Sequence, residues 1–354
     1  MQKNEWHSLP GKYLLLIWIL CMPDLLYAGR TDALLYYNLI HKAELAICDT
    51  DMNSARTFYQ QAFAVNKQKP FSKDLMNAFH CAMDTRHYTE AEQYLAALLT
   101  RGLHTSILNT CIYPYYEGDQ LQKIHSFLQR RRNDTLKTGE TAVRITRLVN
   151  EAKAQRNLHG NVDAAQQAGE QYARQLCRIF CVKGIPDEVQ AGNYINLVGS
   201  FIPAFEPLIS RYRSVYRTGK ELPALDSMLY QAIFTFDYDP QLFAINHERR
   251  AASYYEQYQD TKPFTYSGTV LHWPFTPTVY ADDQSYNTGI KYPAAVIVRM
   301  NREREAIGLE TVEALYRKFI FLYSPSNKAY RKYQLAGSAI INISKITDHD
   351  TGDQ

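Results

Sequence analysis

A histidine–glutamate pair in the stretch INHERRA is the first candidate for chemistry. His247 precedes Glu248, which is half of the helical pattern that zinc proteases use. That chemistry needs a second imidazole one helical turn further on, because two nitrogen ligands must face one metal ion. Ala251 stands at that position and offers no ligand. The stretch therefore predicts a surface histidine and no metal centre.

The region between residues 261 and 293 contains the other side chains with catalytic potential. Asp282 and Asp283 are adjacent carboxylates, and neighbours on an extended chain point apart, so they form a poor acid–base pair unless a loop folds them together. His272 and Trp273 lie among tyrosines and prolines, where they suit a packed loop core or a small sugar or peptide pocket. Packing is the favoured interpretation. A hydrolase-like enzyme with its site in this aromatic, proline-rich loop is the alternative function.

Other catalytic and cofactor patterns are missing from the sequence. There is no Walker loop, no GxGxxG and no GxSxG, and the stretch around Ser200 lacks the second glycine of a nucleophile elbow. Cys177 and Cys181 lie one helical turn apart without a second ligand pair, which favours buried thiols that act as small apolar side chains. We therefore expect no cofactor and no metal, and catalysis is not evident.

Length, charge and composition describe a globular protein of ordinary type. The chain has 354 residues, which exceeds the usual single-domain length of about 100–200, so we expect two domains. Hydrophobic residues make up 46% of the chain and charged residues 21%, so it can bury a core. The net charge of +3 is too small to indicate nucleic-acid binding, and the basic run at residues 130–132 suits the last turn of a helix. We expect no nucleic-acid partner.

Residues 1–28 have the three parts of a secretory signal. Lys3 and Lys12 give a positively charged start, YLLLIWILCM is an apolar run of ten residues, and Ala28 is a small residue at the cleavage position. The sequence therefore predicts export to the periplasm, the cell surface or the medium.

The same apolar run allows two alternatives to a cleaved signal. Ten apolar residues are too few to cross a hydrocarbon core, which needs about 20, and we expect Pro23 and Asp24 to end the run. No transmembrane span is therefore expected once the signal is removed. Lipoprotein attachment through Cys21 is one alternative, although Leu20 is larger than the residue that lipidation sites normally carry. A cytoplasmic protein in which this segment is a buried helix is the other.

The apolar residues after the signal predict helices that recur at a fixed interval. A shift of the chain by 36 residues places similar residues on each other, namely Leu39 on Leu75, Ala46 on Ala82, Ala55 on Ala91 and Ala62 on Leu98. Each copy predicts a helix, a short polar turn and a second helix. Alanine near the start of the second helix allows the two helices to approach closely.

This repeat resembles the tetratricopeptide repeat, a helix–turn–helix unit of 34 residues. The resemblance depends on small and apolar residues at fixed places, which are Leu39, Ala46, Met52, Ala55, Tyr59 and Ala62 in the first unit and Leu75, Ala78, Ala82, Tyr88, Ala91, Leu95 and Leu98 in the second. The sequence departs from the family pattern in its longer period and in Phe79, where a small residue is expected. A third unit is partial, since Pro114 and Gly118 interrupt its first helix, and a cap of this kind ends a short array.

The resemblance assigns residues 31–132 to a tetratricopeptide-like module, and residues 133–343 are predicted to form a second helical domain of unknown type. Asp239 before Pro240 marks the start of one helix in that domain, and Gly308 interrupts another. Residues 344–354 are polar and predict a frayed tail. The predicted fold class is mainly α, with N-terminal helical hairpins followed by a helical domain that bears the aromatic loop.

Two short segments, residues 184–188 and 301–309, are similar to segments of exported bacterial helical proteins with no assigned activity. Those proteins also place short helical repeats before a helical C-terminal region. This similarity implies a shared architecture and brings no mechanism with it.

The tetratricopeptide resemblance implies that the first helix of each unit lines a concave face. The side chains expected on that face are a mixture of polar, apolar and aromatic groups: Tyr37, Ile40, Glu44, Ile47, Lys73, Met76, His80 and Met83. Such a mixture suits an extended peptide or a partner helix. We therefore predict an exported protein- or peptide-binding protein of the bacterial envelope, and the sequence contains no signal for its oligomeric state. The alternative is that so short an array uses this face to dock its own C-terminal domain.

Overall fold

The structure of the protein is a computed structural model, which describes residues 11–66, 70–101, 105–131, 140–158, 162–191, 193–195, 201–210, 222–246, 264–266, 269–271, 279–282, 285–290 and 294–335. Within these ranges the chain is mainly helical, which confirms the predicted fold class. The tail predicted at residues 344–354 lies outside the described residues.

The first helix, α1 (Gly11–Cys48), is continuous. It continues through Pro23 and Asp24, although these two residues end the apolar run in the sequence. A proline removes one intrahelical hydrogen bond and can kink the axis, but the turns on either side keep their own bonds. Among the residues that the structure describes, no helix combines the length and the apolar character that crossing a membrane requires.

Two helical hairpins follow one another at the start of the chain. The first consists of α1 and α2 (Met52–Val65), and the second of α3 (Ser72–Asp84) and α4 (Tyr88–Thr100). The helices of each hairpin pack against each other, and α2 packs on α3. Ala55, Ala62 and Ala91 are fully buried where these helices approach. The order of helix, turn and helix is the one that the sequence predicts.

The two hairpins turn in the same way. Thr50 has a φ of +59° and Arg86 a φ of +62°, so both lie in the left-handed region that residues with a side chain rarely adopt. The residue after each, Asp51 or His87, donates its amide to the carbonyl five residues back, at 2.9 and 2.8 Å. These bonds form the Schellman end of a helix. Because Thr50 and Arg86 are 36 residues apart, the backbone repeats with the interval seen in the sequence.

Further helices follow: α5 (Thr105–Cys111), α6 (Gly118–Arg130), α7 (Glu140–Leu158), α8 (Val162–Lys183), α9 (Glu188–Ala191), α10 (Glu206–Ser210), α11 (Leu222–Phe234), α12 (residues 240–246), α13 (Ala294–Ala306) and α14 (Val312–Tyr323). Short 3₁₀ helices span Tyr113–Tyr115 and Pro325–Lys332. The first of these separates α5 from α6 at Pro114, where the sequence predicts an interruption. Asp239 caps α12 as predicted, since its Oδ1 accepts from the Gln241 amide at 2.7 Å.

The tight turn of the first two hairpins recurs between α11 and α12 and between α13 and α14. Phe236 and Gly308 take the left-handed position, with φ of +59° and +82°. Asp237 and Leu309 then donate their amides to carbonyls five residues back, both at 2.9 Å. The hairpin turn therefore continues beyond residue 132, although the 36-residue interval does not.

The described ranges contain three antiparallel strand pairs: β1 (Asn193–Ile195) with β2 (Phe201–Pro203), β3 (Phe264–Tyr266) with β4 (Thr269–Leu271), and β5 (Val279–Asp282) with β6 (Ser285–Ile290). The last two pairs fall in the region 261–293, which the sequence predicts to be mainly an ordered loop. Their β-branched and aromatic residues favour an extended chain. The expectation of a loop is therefore wrong for these strands.

Two hydrophobic cores hold the helices together. The smaller core lies between α3, α4, α5 and α6 and contains Leu75, Phe79 and Ile124. The larger core joins Tyr36 of α1 to residues of later helices, such as Leu229 of α11. The larger core therefore crosses residue 132, the predicted boundary between the two domains.

Candidate functional site

The six side chains predicted to bind a partner are Tyr37, Glu44, Lys73, Met76, His80 and Met83. Five of them keep 4% or less of their surface accessible, and Lys73 keeps 17% of its side chain. Other parts of the same chain cover them, and for Tyr37, Glu44 and Lys73 these parts lie beyond residue 132, as the alternative interpretation of this face has it. The expectation of an open groove at these side chains is therefore wrong. A module of two hairpins has apolar edges, and the rest of the chain is what shields them from water.

The structure divides these six residues among different surroundings. Met76 and Met83 pack in the smaller core, beside α5 and α6. The Tyr37 hydroxyl donates to the Ile233 carbonyl at 2.8 Å, so this residue ties α1 to α11. The remaining three belong to three separate polar clusters.

A buried group of charges, the Lys318 cluster, joins α1 to the α13–α14 hairpin; it consists of His41, Glu44, Arg304, Glu310 and Lys318. The Lys318 ammonium pairs with Glu44 and lies 3.5 Å from Glu310 Oε1. Arg304 Nε donates to the Glu310 carbonyl at 2.6 Å, and its guanidinium lies 3.8 Å from the Glu310 carboxylate. His41 Nδ1 is 3.5 Å from Glu310 Oε2. Each carboxylate therefore faces at least one cation.

Burial and hydrogen bonding set the charges of the Lys318 cluster. His41 Nε2 lies 2.8 Å from the Gly308 carbonyl, so this nitrogen carries a proton. Burial is the largest effect on Glu44 and Glu310 and opposes their ionisation, but Lys318 and His41, together with the other nearby cations, outweigh it, and the pKa of each carboxyl is lowered. Burial also opposes the charge of Lys318, yet the two carboxylates raise its pKa. The cluster is therefore a set of fixed ion pairs that hold the C-terminal helices on α1.

A second polar cluster surrounds the start of α3. The Tyr36 hydroxyl donates to Asp74 Oδ2 at 2.6 Å and accepts from the Phe71 amide at 3.3 Å. The Lys73 ammonium pairs with Asp239 at 2.9 Å. Burial raises the pKa of Asp74 to about 7, although Lys73 opposes the rise. The cluster joins α1 and α3 to the start of α12, and it places the titration of Asp74 near neutral pH.

The third polar cluster lies along the second half of α3, where the helix holds an extended segment of the chain. Asn77 Nδ2 donates to the Gln334 carbonyl at 3.0 Å, and Asn77 Oδ1 accepts from the Gln334 amide at 2.6 Å. Tyr333, the residue before, has φ −80° and ψ 130°, which is extended backbone. One side-chain amide therefore satisfies both main-chain polar groups of a residue, as a neighbouring strand would.

Asp84, at the end of α3, binds the two residues that precede this contact. Its carboxylate accepts from Lys332 Nζ at 2.5 Å and from the Tyr333 hydroxyl at 2.7 Å. The Lys332 ammonium also lies over the rings of Tyr116 and Tyr333, 4.9 and 5.5 Å from their centroids. The lysine is therefore enclosed by one carboxylate and two aromatic faces, which is a favourable setting for a cation.

His80 lies between Asn77 and Asp84 on α3. Its Nδ1 is 2.7 Å from the Tyr116 hydroxyl, and the two rings are stacked. The Tyr333 ring packs edge-on against it, with centroids 5.7 Å apart. Burial lowers the pKa of His80, and the nearby ammonium of Lys332 lowers it further, so the imidazole is neutral. His80 is therefore uncharged and does not repel the ammonium of Lys332.

An open groove of about 600 Å³ lies on the other side of the hairpins, between α2 and the start of α4. Aromatic, polar and charged residues line this outer groove: Gln60, Phe63, Arg86, His87, Tyr88, Thr89, Glu90, Gln93 and Tyr94. Its three aromatic residues are half-buried, so their rings are partly accessible to a ligand.

The charges of the outer groove are unevenly paired. The Glu90 carboxylate accepts from Arg56 at 2.8 Å. Arg86 is exposed, and its guanidinium has no partner within the described part of the chain. Lys123 Nζ lies over the Tyr88 ring at the edge of the groove, 5.7 Å from its centroid. The outer groove therefore combines aromatic walls with an excess of positive charge.

The cysteines that the structure describes from residue 29 onward are free thiols: Cys48, Cys81, Cys111, Cys177 and Cys181. Burial raises the pKa of Cys48 to about 12 and that of Cys111 to about 11, so both stay protonated. Cys181 is exposed, and the expectation of burial is wrong for it, because the last turn of α8 projects beyond the core, as the 78% exposure of Val182 shows. In the described ranges, no cluster of histidine, cysteine, aspartate and glutamate is arranged to hold a metal ion.

Several side chains with catalytic potential fall outside the described residues: His247, Glu248, His272, Trp273 and Asp283. Asp282 ends strand β5, and the structure describes only its backbone. The hydrolase alternative therefore gains no support from the described part of the chain.

Four residues of the contact between α3 and the extended segment are not predicted from the sequence: Asn77, Asp84, Lys332 and Tyr333. A signal for the helical part was present, because Lys73, Asn77, His80 and Asp84 recur every three or four residues and form a polar stripe on α3. The other half of the contact lies 257 residues further along, as the Asn77–Gln334 bonds show, and no local pattern connects the two.

Comparisons with protein-family models, curated proteins and solved structures return no match for this chain. The arrangement of its own side chains is therefore the basis for a functional proposal.

Proposed function

We propose that this protein is an exported, tetratricopeptide-like protein of the bacterial envelope that binds a protein partner in its outer groove. The partner contributes an acidic segment with a large apolar side chain. The observation that carries the proposal is the exposed guanidinium of Arg86, which has no partner among the described residues, beside the aromatic walls of the groove. The inner face is filled by the chain itself, so the outer groove offers a concave surface that a partner can reach.

The walls of the outer groove are held in place before any partner arrives. The rings of Phe63 and Tyr94 meet edge to face, with centroids 5.6 Å apart. Tyr59, which is fully buried, packs behind Phe63 at 6.0 Å. The Tyr94 hydroxyl donates to Glu90 at 2.6 Å, which fixes the ring. Preformed aromatic walls lose little conformational entropy on binding and suit a leucine or phenylalanine side chain.

Arg86 and Lys123 select the charge of the partner. The one carboxylate among the groove's lining residues, that of Glu90, is already paired with Arg56. An aspartate or glutamate beside the apolar side chain would pair with the guanidinium of Arg86, whose planar fork matches a carboxylate. A basic segment would be repelled. The charges therefore favour an acidic partner.

The backbone at Arg86 places this side chain at the turn beside the outer groove. It occupies the left-handed position of the α3–α4 turn, where glycine is the usual residue. A side chain there costs about 1–2 kcal/mol of backbone strain. Thr50 and Phe236 take the same position in their own turns, so the conformation belongs to the turn, and at Arg86 it accompanies a side chain that lines the outer groove.

Two fluorescein-labelled decapeptides, in which phenylalanine alternates with glutamate or with lysine, test the groove by fluorescence anisotropy. We expect the glutamate peptide to bind and the lysine peptide not to bind. Arg86→Gly removes the charge and relieves the turn, so the fold persists and the affinity for the glutamate peptide falls about tenfold. Thr50→Gly is the matched control, because it relieves the equivalent turn away from the groove and should leave affinity unchanged. Equal binding of both peptides, or unchanged binding by Arg86→Gly, contradicts the proposal.

Export is tested on the N-terminus of the mature chain. When the protein is produced in a bacterial host, we expect the chain outside the cytoplasm to begin at Gly29. Cleavage after Ala28 would preserve the contacts of the rest of α1, such as the bond from Arg30 to the Ala306 carbonyl at 3.2 Å. An uncleaved chain in the cytoplasm contradicts export, and a chain anchored through Cys21 supports the lipoprotein alternative instead.

A further inference from the structure

We infer that the inner face of α3 is a second peptide-binding site, which accepts a basic residue followed by an extended segment that begins with tyrosine. Residues 332–335 of this chain occupy the site, and a partner segment of the same chemistry competes with them. The inference does not depend on the outer groove, because different residues form the two sites.

The contact between Asn77 and Gln334 is directed at the main chain. Both bonds go to the amide and carbonyl of Gln334, so they would hold any residue at this position of an extended segment. Domains that capture extended peptides derive affinity from main-chain hydrogen bonds of this kind and specificity from the adjacent side chains. Asn77 therefore supplies the part of the site that is independent of sequence.

Asp84 and Tyr116 supply the sequence preference. Asp84 bonds both the Lys332 ammonium and the Tyr333 hydroxyl, so a lysine–tyrosine pair satisfies both oxygens of one carboxylate. The lysine side chain keeps only 9% of its surface accessible between the two aromatic rings. An apolar residue in its place would leave Asp84 without a cation, whereas arginine also stacks on tyrosine. The site therefore selects lysine or arginine, then tyrosine.

The occupying segment has the burial pattern of a bound strand. Tyr333 and Leu335 are buried, and Gln334 between them is half-buried. In an extended chain alternate residues point to the same side, so Tyr333 and Leu335 both face the helices. The preferred ligand is therefore a basic residue, tyrosine, any residue and an apolar residue, in that order.

The resident segment lowers the apparent affinity for a partner without abolishing it. A tethered segment acts at an effective concentration in the millimolar range, and a competitor binds only the fraction of molecules in which the site is open. Opening breaks the contacts made by Asn77 and Asp84. It leaves the Lys318 cluster intact, since that cluster is formed by α1, α13 and α14. The helices can therefore stay docked while the segment exchanges.

A fluorescein-labelled peptide RKYQLAG, the sequence of residues 331–337, tests the site in the full-length protein. Lys332→Ala combined with Tyr333→Phe weakens the resident segment and keeps the aromatic ring that fills the core. We expect this double variant to bind the peptide about tenfold more tightly than the wild-type chain does. Lys328→Ala changes an exposed lysine of the same 3₁₀ helix, so it is the matched control and should bind as the wild type does.

Three further measurements assign the binding to this site. The peptide RAFQLAG lacks the lysine ammonium and the tyrosine hydroxyl. It should bind the double variant at least about tenfold more weakly than RKYQLAG does. Asp84→Asn added to the double variant should weaken binding of RKYQLAG by a similar factor. Arg86→Gly should not change it, which separates this site from the outer groove. A folded double variant that binds RKYQLAG no more tightly than the wild type, or binds both peptides equally, overturns the inference.

If the double variant does not fold, hydrogen exchange of the wild-type chain decides the matter. Saturating RKYQLAG should accelerate exchange of the Gln334 amide, because the peptide displaces the residue that bonds Asn77. Exchange in α7, which does not contribute to the site, should stay the same. Unchanged exchange at Gln334 overturns the inference.

Discussion

Asn77 and Gln334 are joined by two hydrogen bonds, with 3.0 Å from Nδ2 to the carbonyl oxygen and 2.6 Å from the amide nitrogen to Oδ1. The pair ties a helix of the second hairpin to a segment that is 257 residues away in the sequence. Asn77 is fully buried, so its amide group would otherwise lack water as well as a protein partner. The contact therefore stabilises both α3 and the segment that packs on it.

We expect Asn77→Ala to lower the free energy of unfolding by about 1–3 kcal/mol, because the amide and carbonyl of Gln334 lose their partners. Urea unfolding followed by circular dichroism measures the change. Asn53→Ala is the matched control, since it removes an exposed asparagine of α2, and we expect an effect within about 0.5 kcal/mol. Equal effects of the two variants would show that the bonds of Asn77 contribute nothing to stability.

Gly308 lies against the ring of Tyr37, and an added Cβ would be 2.2 Å from Tyr37 Cδ2. The ring cannot move away freely, because its hydroxyl bonds the Ile233 carbonyl. We expect Gly308→Ala to lower the free energy of unfolding by about 2–4 kcal/mol through overpacking and backbone strain. Gly184→Ala shares the strain, with φ +77°, but its Cβ would meet no atom within 4 Å, so it should cost only about 1 kcal/mol. Thermal unfolding compares them, and similar losses would contradict the close packing on Tyr37.

Lys318 is the cation between two buried carboxylates, those of Glu44 and Glu310. We expect Lys318→Met to cost about 3–5 kcal/mol, because both carboxylates lose that cation. Its neighbour Arg317 pairs with Asp49 at the surface, so Arg317→Met should cost about 0–1 kcal/mol. Urea unfolding measures both. Adding Glu44→Gln to Lys318→Met should restore part of the loss, and no restoration would mean that the two residues are not coupled.

Asp74 makes the stability depend on pH between about 4 and about 7. Its pKa is about 7 in the folded chain and about 4 in an unfolded chain, so the folded state binds more protons in this interval. Stability from this carboxyl is therefore present below the unfolded pKa and is lost as the pH rises to the folded pKa. Asp74→Asn removes the dependence, and we expect the variant to be more stable than the wild type above pH 7, by up to about 4 kcal/mol.

Urea unfolding at several pH values from 4 to 8 checks the Asp74 prediction. The difference between Asp74→Asn and the wild type should be small near pH 4 and grow towards pH 7. Asp32→Asn is the control, because Asp32 is an exposed aspartate of α1 and its removal should leave a curve parallel to that of the wild type. A parallel curve for Asp74→Asn would show that Asp74 does not titrate in this range.

Much of the secondary structure followed from local features of the sequence. The alternation of helix and turn through α4, the break at Pro114, the cap at Asp239 and the turn at Gly308 were all predicted and are observed. Caps, turn residues and helical spacing act over a few residues, so a short window of sequence contains them. The strands between residues 264 and 290 were missed, because pairing depends on a second segment as well as on local preference.

The amino-acid order was thus enough for the mainly α class and for the first two hairpins with their 36-residue interval. It was not enough for the surfaces that these hairpins bury. His80 has the spacing of a groove residue, yet the chain's own Tyr116 and Tyr333 cover it, and Glu44 pairs with a lysine 274 residues away. Helical spacing shows which residues share a face, whereas the occupant of that face depends on how the whole chain removes apolar area and unpaired charge from water.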